Sequence, residues 1–208
     1  MRFYLTTIKK IQTLLLAVSI GILVVQPQLL VFMPGLLNET QLYTFSHVSL
    51  FLVMIIRPLA DLLPRLKFVR PLVILRKGMG VFSASIIVSF IIAKLMVDPS
   101  GYLASMVTSE YWSLSGLALF AHAADVSAVL LLVTSNNLSK QLLGSWWKRI
   151  QRLSYVYFYG SAIYLLFIFG DLTMVLYLAV VTLLTFMAYR KNHQVVAEPI
   201  TQVTPATI

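Results

Sequence analysis

The chain has 208 residues, 59% of them hydrophobic and 11% charged, with a mean hydropathy of +0.88. Soluble domains carry about 25% charged residues, so a soluble globular fold is excluded. The net charge of +9 sits in short basic clusters between long apolar runs, which is how a multi-pass membrane protein carries positive charge rather than how a nucleic-acid-binding face does.

Taken in chain order, the apolar runs predict six transmembrane helices, over 10–33, 43–63, 73–96, 112–134, 150–169 and 172–189. The first follows a basic segment, Met1 to Lys10. It is longer than the roughly 7–15-residue apolar region of a signal peptide and no Ala-x-Ala pattern follows it, so it is expected as a retained helix. Arg57, Pro58 and Asp61 interrupt the end of the second, where an Arg57–Asp61 pair at i, i+4 is expected to be structural. Ser83, Ser85 and Ser89 accompany Gly78, Gly80 and Ala84 along the third, a small-residue pattern that predicts close helix packing. Trp146 and Trp147 beside Lys148 and Arg149 predict an interfacial anchor before the fifth helix. Only Gly170 and Asp171 separate the fifth and sixth, which must form a tight antiparallel hairpin.

The basic residues fix an expected orientation. The N-terminal segment, the loop between the second and third helices, the loop between the fourth and fifth, and the tail hold 15 of the 16 Lys and Arg, leaving Lys94 alone. Glu39, Asp98, Glu110 and Asp171 fall on the other side. The positive-inside rule then places both termini in the cytoplasm. The expected fold is an all-α six-helix membrane bundle over 1–191, with a disordered cytoplasmic tail over 192–208. No soluble domain follows, so a nicotinamide- or flavin-binding domain is expected on another polypeptide. The chain has no cysteine, which excludes disulfides, thiolate nucleophiles, iron–sulfur clusters and Cys-ligated zinc. It also lacks phosphate-loop, zinc-protease and serine-nucleophile motifs.

Charges within a bilayer cost roughly 2.5–3.5 kcal/mol each on insertion scales and so mark candidate sites. His122 and Asp125, at i, i+3 in the fourth helix, share a face. They read either as a proton relay or as a buried polar pair that joins helices. His47, near the outer end of the second helix, reads as a wet interfacial residue or as a ligand. The aromatics Tyr155, Tyr157, Phe158, Tyr159 and Tyr164 read as core packing and interfacial belt, with contact to a cofactor ring as the alternative.

Three stretches carry a resemblance. They are Arg57-Pro58-Leu59-Ala60, then Arg76-Lys77-Gly78-Met79-Gly80-Val81-Phe82, then Leu143-Gly144-Ser145-Trp146-Trp147-Lys148-Arg149-Ile150-Gln151 running on to Tyr155. In order and spacing, over about 43–168, they resemble the ferric-reductase-like transmembrane domain. The branch they most resemble is the haem-binding membrane subunit of the bacterial periplasmic methionine-sulfoxide reductase system. The resemblance implies b-type haem between histidines at three positions, which here are Phe90, Gln151 and Tyr164. Of these only Tyr164 resembles a haem-iron ligand.

His47 and His122 lie on other helices, at depths that differ by about 9 Å at 1.5 Å per residue. The expectation is therefore a divergent ferric-reductase-like subunit of the bacterial-type cytoplasmic membrane that has lost its haem. It would serve as a structural or partner subunit of a membrane redox complex, or bind another lipophilic ligand such as a quinone. One alternative is a haem-containing transmembrane oxidoreductase using His47, His122 and Tyr164. The other is a small proton-coupled transporter using His122 and Asp125.

Overall fold

The computed structural model describes residues 2–114 and 117–197, and within them every regular element is a helix. In order these are α1 (Arg2–Phe32), α2 (Glu39–Leu62), α3 (Val69–Leu72), α4 (Leu75–Val97), α5 (Pro99–Ser105), α6 (Ala118–Thr134), α7 (Asn137–Leu143), α8 (Ser145–Gln151), α9 (Leu153–Phe169) and α10 (Thr173–Ala197). Among the described residues four helical stretches are long and apolar enough to cross a membrane: Phe3–Phe32, Glu39–Leu62, Val69–Val97 and Thr173–His193. A fifth is added if α6 and α7, which meet at 97°, count as one bent span. The chain is thus an all-helical, multi-pass membrane protein. α9 carries no charged residue over its 17 residues and is about 25 Å long at 1.5 Å per residue, slightly under the ~30 Å hydrocarbon thickness.

The ends of these helices differ from the sequence expectation in ways the side chains explain. α1 starts at Arg2, and its polar first turns fold their hydroxyls back onto the helix: Thr7 Oγ1 donates to the Phe3 carbonyl at 3.0 Å and Thr13 Oγ1 to Lys9 at 3.1 Å. The 98–114 segment is not a plain loop. Asp98 accepts from the Gly101 amide at 2.9 Å and Pro99 takes the first helical position, so a short α5 forms by N-capping. α6 then begins at Ala118 rather than at 112.

The expected tail is corrected in part, because 192–197 continue α10 as helix. His193 packs on Tyr189 one turn back, 4.2 Å between ring centroids. Lys191 Nζ donates to the carbonyls of Asp61 and Leu62 at 3.0 and 2.9 Å, a cation on the open end of α2. Residues 198–208 of the expected tail lie outside the described residues.

The packing order places a ring of four helices at the centre. α4 packs on α2 and α6, α9 packs on α6 and α2, while α1 lies outside against α4 and α10 outside against α2 and α9. Since lipid is as apolar as leucine, such contacts depend on close fit. Small residues supply it. A Cβ on Gly160 of α9 would stand 2.9 Å from the Phe120 carbonyl oxygen of α6, and one on Gly78 of α4 would stand 3.3 Å from Leu15 of α1.

The expected α9–α10 hairpin is present. Gly170 ends α9 in the left-handed region at φ +65°, a conformation that suits glycine. Asp171 accepts from the amide and hydroxyl of Thr173, at 3.0 and 2.6 Å, to open α10.

One end of the bundle is tied by groups that satisfy exposed carbonyls. Tyr4 Oη donates to the Phe68 carbonyl at 2.9 Å. Pro58 has no amide to offer the Met54 carbonyl. One residue upstream, Arg76 Nε from α4 donates to the Val53 carbonyl at 3.0 Å. With Lys191 on α2, these contacts gather the N-terminus of α1, the C-termini of α2 and α10 and the start of α4 at one basic end.

Candidate functional site

Three polar assemblies lie inside this apolar bundle. The first joins α2, α4 and α9. Ser46 Oγ is 3.0 Å from Ser83 Oγ and 3.1 Å from Tyr157 Oη, and Ser83 Oγ is 2.9 Å from Tyr157 Oη. The Ser83 carbonyl also accepts, at 3.1 Å from Ser46 and 3.3 Å from Tyr157. All three side chains are buried. The network offers three hydroxyl protons and enough oxygens to take them, so nothing in it is left unpaired. It contains no base and acts as a clamp.

The second assembly centres on His47, on the seam of α2, α9 and α10. The ring is 3% exposed and lies nearly parallel to Phe158 and Tyr177, with centroids at 5.4 and 6.0 Å. Its Nδ1 is 3.3 Å from Ser161 Oγ, and Ser161 Oγ lies 3.1 Å from the Phe158 carbonyl. Which of the two, His47 or Ser161, carries the proton between them depends on the ring tautomer. Nε2 is buried and has no partner.

A cavity of about 40 Å³ lies in the same seam, lined by Thr40, Tyr43, Thr44, Leu165, Asp171 and Met174. Thr44, Leu165 and Met174 stand one turn along from His47, Ser161 and Tyr177 respectively. The space is large enough to admit water. A larger lipid-side groove of about 670 Å³ runs between α9 and α10 over Leu166, Leu178, Thr182 and Phe186. Above Thr182 the two helices are joined by its hydroxyl and that of Tyr159, 2.9 Å apart.

The third assembly lies under the 98–114 segment. His122 stacks on Tyr111, 3.3 Å between centroids, with Trp112 edge-on at 6.2 Å. His122 Nδ1 is buried without a partner. Asp125, one turn on, is within electrostatic range of Lys94 on α4, Tyr43 on α2 and Tyr157 on α9. Lys94 Nζ is 6.0 Å from the Tyr102 ring. Tyr111 and Tyr102 are close enough for their phenols to influence one another. Burial pushes both phenols above their usual range. The interaction between them adds to the rise at Tyr111 and opposes it at Tyr102. Both therefore stay protonated at neutral pH.

The structure places the sequence-derived candidates as follows. His47 and His122 lie in separate assemblies with no shared neighbour among their ring contacts. His122 and Asp125 share the third assembly, with Lys94. The three positions that correspond to haem ligands by resemblance do not supply the paired imidazoles a b-haem needs. Phe90 stacks flat on Tyr43, 4.6 Å between centroids at 3°. Gln151 Nε2 reaches Thr134 Oγ1 at 3.5 Å. Tyr164 is half-buried on α9. Among the described residues no group of three or more His, Cys, Asp or Glu is placed to hold a metal ion.

Ser46, Ser161, Tyr102 and Tyr111 join these assemblies without having stood out in the sequence. Ser46 beside His47 in an apolar run was the available signal. No family model, curated protein or solved structure matches the chain.

Proposed function

We propose that the chain is a haem-free, divergent ferric-reductase-like membrane subunit with six spans and both termini cytoplasmic, which serves as a partner subunit of a membrane complex. The observation that carries the reading is the Tyr43–Phe90 stack. The residue at the family's ligand position on α4 is a phenyl ring, and a phenol from α2 covers its face. The hydroxyl clamp of Ser46, Ser83 and Tyr157 lies further along the same pair of helices, and the helices that would flank a haem are held together there instead. The six-span count takes α6 and α9 as spans of their own. It is supported by the apolar character of α9 and by the gathering of basic residues at one end. The positive-inside rule then turns that end to the cytoplasm.

The test is the absorbance spectrum of the detergent-purified protein from haem-supplied cells, oxidised and reduced, with a pyridine haemochrome assay. The expected result is no Soret band, together with co-purification of a stoichiometric partner. A reducible b-type spectrum at stoichiometric haem overturns the reading. The topology is tested separately, since the chain has no cysteine. Thr108→Cys and Ser139→Cys are expected to react with an impermeant thiol reagent from opposite sides of the membrane.

One observation favours a second reading. The buried Nε2 of His47 has no partner in the bundle, and in the tautomer that protonates Nδ1 its lone pair would meet a ligand, whether haem iron or the hydroxyl of a reduced quinone. Under that reading His47→Ala removes any reducible chromophore or bound quinone, while His122→Ala leaves it.

A further inference from the structure

α7 leaves α6 at 97°, so when α6 stands across the bilayer, α7 lies along its surface. Its apolar pair Leu138 and Leu142, at i, i+4, is exposed, and so is Trp146 on α8. Exposed leucines and a tryptophan on short surface helices fit the boundary between headgroups and acyl chains.

The charge around them has one sign. Between Asp125 and Asp171 the chain has no acidic residue, and it carries Lys140, Lys148, Arg149 and Arg152. Two of the four cations lie over aromatic faces. The Arg149 guanidinium lies 4.6 Å from the Trp146 ring and Lys140 Nζ 5.5 Å from the Trp147 ring. The elbow is fixed to the bundle as well, because Trp147 Nε1 donates to the Thr134 carbonyl at the end of α6 at 3.0 Å.

We propose that the α7–α8 elbow is a docking surface for anionic phospholipid headgroups. Leu138, Leu142 and Trp146 enter the acyl boundary, and Lys148, Arg149 and Arg152 take the phosphates. Charge complementarity selects the occupant: four cations without a counter-ion face a surface whose anionic lipids attract each nearby Lys or Arg. The inference rests on the membrane-spanning reading of α6.

The test uses the full chain with Trp112→Phe, which leaves Trp146 and Trp147 as reporters. It is reconstituted in phosphatidylcholine nanodiscs that contain a minor fraction of acyl-brominated lipid, either phosphatidylglycerol or phosphatidylcholine. Brominated phosphatidylglycerol is expected to quench the tryptophans more strongly than the same fraction of brominated phosphatidylcholine. High salt should remove the excess. Each of Lys148→Gln, Arg149→Gln and Arg152→Gln should lower the preference roughly fivefold, the factor that one cation near an anionic surface supplies. Equal quenching by the two lipids overturns the headgroup proposal while leaving the membrane placement intact, and turns this surface over to a protein partner. No quenching by either lipid overturns the placement of the elbow in the membrane itself.

Discussion

The α2/α4/α9 seam and the α2/α9/α10 seam share α2 and α9 and lie a few residues apart along them, and they treat polar groups in opposite ways. At Ser46, Ser83 and Tyr157 every hydroxyl has a partner. At His47, the residue after Ser46, one ring nitrogen is matched by Ser161 and the other is buried alone. In a medium without water an unpaired polar group costs more than one that is paired. The first seam is therefore what stability alone produces, while the second keeps a cost that stability alone does not explain. A residue that retains an orphaned ring nitrogen, in a seam that also holds a cavity, is where a ligand or proton has room to act.

The largest expected effect breaks both seams together. Gly160 on α9 sits between Tyr157 and Ser161 in sequence and meets the Phe120 carbonyl of α6. Gly160→Val forces α9 away from α6, and overpacking of this kind costs about 1–3 kcal/mol. Thermal unfolding in detergent should fall accordingly, and a variant as stable as the native chain would show that α6 and α9 are not in contact there.

Next comes the first seam by itself. Tyr157→Phe strips two serines of their shared partner and should cost about 1 kcal/mol, within the range measured for interhelical hydrogen bonds in membranes. A cycle with Ser83→Ala checks the mechanism. The two changes should be less than additive, because each removes the same clamp. Strict additivity would mean that the hydroxyls act independently.

The second seam gives the opposite sign. His47→Leu removes a buried unpaired nitrogen and should raise stability by about 1 kcal/mol, the lower end of the cost of such a group. A fall in stability would show that Nε2 is occupied in the folded protein, and would favour the ligand-binding reading of this seam.

These seams also mark what the sequence makes legible and what it hides. The apolar spacing, the basic clusters and the Gly170–Asp171 turn are local features, and each is readable from neighbouring residues. So was the start of α5, since Asp98, Pro99 and Gly101 form a capping signal that a reading by apolar runs passes over. The clamp is different. Its members are 37, 74 and 111 positions apart, and the His47–Ser161 contact spans 114. A helix that is apolar all round carries little moment to say which face turns inward. Ser83 could therefore be read as a small packing residue but not as a hydrogen-bonding partner of Tyr157. The Tyr111 stack on His122 was hidden for a further reason. It depends on the irregular segment that precedes α6, and the sequence expectation began the following helix at 112.

The smallest predicted effect separates the seams most cleanly. Lys191 ties α10 to α2 through two carbonyl bonds at the basic end and touches neither Tyr157 nor Ser83. A cation at a helix C-terminus contributes roughly 0.3–1 kcal/mol, so Lys191→Met should shift thermal unfolding little. Its effect should be local. α10 lies outside the central ring and closes only the His47 side, so loosening its anchor should raise amide exchange along α10 and around Ser161. Exchange in α4 near Ser83 should stay as in the native chain, because the clamp does not pass through α10. A uniform rise across α4, α9 and α10 would mean that the two seams open as one cooperative unit. The orphaned His47 would then be held in place by the whole bundle rather than by a gate formed by its last helix.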